Sequence, residues 1–106
     1  MKESFNVKVR IEADAQTEKV VLSQFREQFP TAQAVDIYAE FTAFFFVDKS
    51  KRVDTDSMSF ELDAADFIIS DGKGSILGRV ISDVSFTVNE LKQMFADAKE
   101  LAIEGL

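Results

Sequence analysis

Residues 34–47 read AVDIYAEFTAFFFV, and this stretch decides the fold. Val35, Ile37, Ala39, Phe41, Ala43, Phe45 and Val47 fall on one side, with Asp36, Tyr38, Glu40, Thr42, Phe44 and Phe46 on the other. A period of two predicts a strand with one buried face. The opposite face starts polar, but Phe44 and Phe46 make its second half apolar on both sides. That end requires a cover, supplied either by the connection that follows or by a subunit or partner.

Upstream, Phe5 to Ala13 alternates without error: Phe5, Val7, Val9, Ile11 and Ala13 against Asn6, Lys8, Arg10 and Glu12. This is a second half-buried strand. From about Thr17 the period lengthens, with Val21, Phe25 and Phe29 four residues apart and Leu22 beside them, the pattern of an amphipathic helix. Asp14 or Thr17 offers an N-cap oxygen, and the single proline, Pro30, closes the helix by forcing the preceding residue out of helical geometry.

Downstream, residues 48–56 form a charged connection. Ser57 to Ile69 then begins as a strand (Met58, Phe60, Leu62) and slips at Ala64–Ala65, as a β-bulge or a break requires. Asp71-Gly72-Lys73-Gly74 is a hairpin turn, because glycine accepts positive φ between two apolar runs. A strand from Ser75 to about Phe86 follows. Thr87-Val88-Asn89-Glu90 then has capping-box spacing and opens a helix with Leu91, Met94, Phe95, Ala98, Leu101 and Ala102 as its apolar stripe. The expected architecture is α+β: an antiparallel sheet of about four strands with two helices packed on one face, in the order β-α-β-β-β-α.

The 106 residues make a single globular domain, long enough for one core and too short for two. No apolar run reaches the roughly 18 residues needed to span a bilayer. The start, MKESFNVKVR, lacks the apolar stretch of a signal peptide, so a cytoplasmic location is expected.

The absences narrow the chemistry. Zero Cys and zero His remove disulfides, thiolate nucleophiles, the commonest metal ligand and the usual base of a nucleophile–base pair. No cofactor and no catalytic residue is assigned. The Asp71–Ser75 stretch has the letters of a phosphate loop without its spacing or its strand-to-helix context. An EF-hand register on Asp54 fails at Met58, Ser59 and Ala65, so no metal site is assigned. The aromatic run Ala43–Val47 lacks the basic residue and glycine of an RNA-recognition strand, and a net charge of −7 repels phosphate, so nucleic acid is not an expected partner.

The charge is local. Asp54, Asp56, Glu61, Asp63, Asp66 and Asp71 lie in a stretch without Lys or Arg, and the rest of the chain sums to −1. Lys49, Lys51 and Arg52 stand directly before it. Such a stretch either guards a sheet edge against unwanted pairing or docks a basic partner. The favoured reading is a small acidic protein-binding, assembly or inhibitory domain. Its partner-binding residues are Tyr38, Phe44, Phe46, Asp54, Asp56, Glu61, Asp63 and Asp66. Self-association through Phe44 and Phe46 would make a homodimer, and a DNA mimic of the kind phages encode as inhibitors is a special case. The alternative is a small enzyme or ligand-binding domain in which Lys8, Arg10, Asp36, Tyr38, Glu40, Glu61 and Asp63 converge on the polar sheet face.

Overall fold

The computed structural model describes residues 1–106. Strand β1 (Lys2–Glu12) leads to helix α1 (Ala15–Gln24), then β2 (Ala34–Val47), β3 (Val53–Ser70), β4 (Ile76–Val80) and helix α2 (Val88–Glu104). The strands form one antiparallel sheet in the order β1-β2-β3-β4, as the α+β expectation required. Both helices lie over the same face. Val21 of α1 and Met94, Ala98 and Ala102 of α2 share one core with Val9, Ile37, Phe41 and Phe67 of the strands. Each such fully buried aliphatic or aromatic side chain contributes about 1.5–3 kcal/mol, which is why the two-residue period is kept so strictly in β1 and β2.

The predicted slip in β3 is a bulge, not a break. Phe41 faces Leu62 and Glu40 faces Ala64, so Asp63 is the extra residue. A second irregularity lies between Phe44 and Phe46, opposite residues 54–59. The strand also begins four residues earlier than the alternation suggests. Residues 48–52 are therefore a turn, not a long charged connection, and the turn does not fold back over Phe46. Long β2 and β3 stretch the molecule to 56 Å along its main axis, consistent with 18 residues of β3 at about 3.3 Å each.

Strand β4 is shorter than expected. It ends at Val80, and Ile81 is 84% exposed. The chain leaves the sheet there and crosses to the helix side, where Phe86 packs 5.7 Å from Phe67 and Val84 joins the core margin. Ser82 anchors this crossing by donating to Gln24 Oε1 at 2.7 Å. Gly78 permits another close approach: a Cβ there would come within 2.5 Å of the Phe29 ring. The turn before β4 forms as read, with Gly72 and Gly74 at φ 76° and 97°, and Asp71 Oδ1 accepts the amides of Lys73 and Ser75.

The helix starts hold the main departure from expectation. The capping box of α2 is complete: the Glu90 amide donates to Thr87 Oγ1 and the Thr87 amide donates to Glu90 Oε1. Glu90 does more than cap, however. It is only 1% exposed and also accepts from the Asp14 amide at 2.7 Å and the Thr17 hydroxyl at 3.0 Å. The Thr87 hydroxyl in turn donates to the Asp14 carboxylate. Asp14 does occupy the N-cap position of α1, but its side chain makes no cap bond to that helix and is spent on Thr87 instead. One buried carboxylate thus ties the two helix starts together, satisfying donors that would otherwise be stranded.

Candidate functional site

The face of the sheet away from the helices carries every residue singled out above for partner binding, apart from Asp56. In antiparallel pairing, residues directly opposite one another share a face. Tyr38 lies opposite Asp66, Thr42 opposite Glu61, Phe44 opposite Ser59 and Phe46 opposite Asp54. The Thr42 hydroxyl donates to Asp63 Oδ2 at 2.6 Å, which places the bulged carboxylate on this face too. Asp56 falls in the irregular stretch of β3, where its amide donates to Asp54 Oδ1.

The face divides into two parts. Toward the β4 end, charges are matched: Arg79 pairs with Asp66 and its guanidinium lies 4.3 Å above the Tyr38 ring, while Arg10 donates to Asp36 at 2.8 Å. The hydrogen bond to Asp66 raises the Arg79 pKa. Toward the 48–52 turn, charges are unmatched. Asp54, Asp56, Glu61 and Asp63 are exposed, and none of them forms an ion pair with Lys or Arg. Phe46 is 52% exposed, and the Lys2 ammonium sits 5.1 Å over the Phe44 ring.

Three placements differ from the sequence reading. Tyr38 is eight residues along β2 from Phe46, about 27 Å in an extended strand, so the two are not neighbours. Asp66 is engaged by Arg79, and Asp71 serves the turn, which leaves four of the six acids free to meet a partner. The 48–52 turn forms no second layer over Phe46, and the Lys2 ammonium from the neighbouring strand sits over Phe44.

The residues of the alternative reading lie in register across three strands: Lys8 faces Glu40 and Arg10 faces Tyr38. A recess of about 280 Å³ among them is lined by Tyr38, Glu40, Asp66, Arg79 and Ile81. Its main charges are already paired to one another. Nowhere do three acids gather closely enough to hold a metal ion, and no helix is long and apolar enough to cross a membrane.

The turn at the tip is ordered by Asp48, whose Oδ1 accepts from the Ser50 hydroxyl (2.7 Å), the Ser50 amide and the Arg52 amide. The Ser50 side chain, followed by the Arg52 backbone, holds the Asp48 carboxyl below its ordinary pKa. This geometry projects Lys49, Lys51 and Arg52 into solvent beside a cleft of about 720 Å³ that Met1, Phe45, Val47 and Leu106 help to line. A search among protein-family models, curated proteins and solved structures finds no match to this chain.

Proposed function

We propose that this domain acts by protein–protein contact, docking a basic partner on the turn-proximal half of the β2–β3 polar face. The observation that carries the reading is the coincidence of Phe46, half exposed, with Asp54, Glu61 and Asp63, unpaired and on the same face. An exposed aromatic supplies apolar contact area, and surrounding carboxylates speed encounter and select a partner of opposite charge. Because the acids flank an aromatic instead of forming a continuous row, a discrete basic patch suits this face better than a mimic of DNA.

The test is affinity capture from native extract with the wild-type chain and with Asp54→Lys/Glu61→Lys. A partner that binds through this face is retained by the wild type, released by moderate salt and lost from the variant. Retention of the same partner by both proteins contradicts the proposal. Light scattering addresses the homodimer version, which requires a concentration-dependent rise in mass that Phe46→Ser abolishes.

A further inference from the structure

The sheet has an open edge at β1. β1 pairs only with β2, so its outer side is open along all 11 residues. The direction of its backbone groups follows from its ends. Met1 exchanges hydrogen bonds with Val47, and the Ala13 amide donates to the Val35 carbonyl, so the odd positions bond to β2. The register between them runs from Lys2 to Glu12 without a shift. Alternation then directs the N–H and C=O groups of the six residues Lys2, Ser4, Asn6, Lys8, Arg10 and Glu12 outward, where no other strand meets them.

The open outer side of β3 is interrupted and that of β1 is continuous. The outer side of β3 is interrupted by the bulge at Asp63 and by the irregular stretch near residues 54–59, both devices that spoil strand addition. β1 has no bulge and no proline. Its charged side chains discourage indiscriminate pairing but leave the backbone row available to a strand with the matching pattern.

The matching pattern is set by α2, which lies over β1. A groove of about 260 Å³ runs between them, lined by Val9 and Arg10 from the strand and Asp97, Glu100, Leu101 and Glu104 from the helix. Leu101 is 43% exposed, Glu100 and Glu104 are exposed, Asp97 is half-buried, and none of the three acids has an ion-pair partner. A strand laid along β1 would turn alternate side chains toward this helix flank. A second copy is a poor occupant, because a two-fold pairing of β1 with β1 sets the same acidic flanks of α2 against each other. An extended segment with a basic residue at every second position satisfies both the backbone row and the carboxylates.

We propose that the outer edge of β1 accepts an extended basic segment of a partner protein by strand addition, seated in the groove between β1 and α2. This surface is separate from the β2–β3 face, and either can stand if the other falls.

The probe is a short acetylated peptide alternating lysine and threonine, with a glutamate–threonine peptide as control. On binding, hydrogen exchange slows at the outward amides of Ser4, Asn6, Lys8 and Arg10, while the amides of Val7 and Val9, already bonded to β2, change little. Glu100→Lys/Glu104→Lys, at exposed helix positions that leave the core intact, weakens binding by roughly tenfold or more. Asn6→Pro removes an outward amide while keeping the β1–β2 backbone bonds, at the cost of the side-chain bond from Thr42, and abolishes binding. Asp54→Lys/Glu61→Lys leaves it unchanged, which separates this surface from the polar face. The proposal is overturned if the lysine peptide does not bind, if Glu100→Lys/Glu104→Lys binds it as well as the wild type, if protection appears only along β2 and β3, or if β1 is protected in the free protein by self-association.

Discussion

At one end of the β2–β3 ribbon, Ile37, Phe67 and Ile69 are sealed in the core, Arg79 is matched to Asp66, and Glu90 locks the two helix starts together nearby. At the other end, Phe46 stands in solvent, four exposed acids form no ion pair, and the turn is held by the hydrogen bonds of Asp48. The same two strands build both ends. On the polar face the difference is β4: it flanks β3 only at Phe67–Ser70 and sends Arg79 over Tyr38 and Asp66, and it does not run beside the second end. Stability is concentrated where the side chains are buried, and binding capacity is left where they are exposed.

Substitutions at the closed end should therefore cost most. Glu90→Ala strands the Asp14 amide and the Thr17 hydroxyl in the interior and removes the capping box, so a loss of about 3 kcal/mol is expected in denaturant unfolding. Glu90→Gln, which keeps an acceptor oxygen, should lose less than half of that. Gly78→Ala drives a methyl group into the Phe29 ring, with an expected cost of about 1–3 kcal/mol and displacement of the residues that follow α1. A thermal melt of this variant reads the effect directly. If Glu90→Ala unfolds no more easily than a surface variant, the division between the two ends is wrong.

Changes at the open end should leave stability within about 0.5 kcal/mol while altering contact with other molecules. Phe46→Ser is the sharpest case, and its melting curve should superimpose on that of the wild type. The smallest effect concerns pH. The Asp48 carboxyl is held below its ordinary value in the folded turn, so its contribution is present above the unfolded pKa and is lost as pH falls through the lower, folded value. Acidification through that lowered value should release the Ser50 and Arg52 amides, seen as faster exchange there. Unchanged exchange at those amides would contradict this role of the Asp48 carboxylate.

Element order and the buried faces of β1 and β2 were legible in the sequence because each rests on a local period that one buried face enforces. The capping box of α2 and the glycine turn before β4 were legible for the same reason, as their geometry is written in four or five adjacent residues. The features that escaped are long-range. Glu90 reads as a cap because its contacts to Asp14 and Thr17 span more than 70 positions and leave no periodic trace. β4 reads as running to Phe86 because Val84 and Phe86 are apolar at the right spacing, yet they serve the core from outside the sheet. The candidate face was half legible. Alternation placed Phe44, Phe46 and the acids together, but it gave no sign that Arg79 neutralises Asp66, or that β1 leaves an unbroken edge beneath the acidic flank of α2.

The account turns on whether the unpaired acids around Phe46 select a partner. Capture from native extract by the wild-type chain and by Asp54→Lys/Glu61→Lys, both confirmed folded, asks this most directly. The predicted result is a basic protein held by the wild type and absent from the variant; equal recovery of that protein by the two would contradict the assignment of this face.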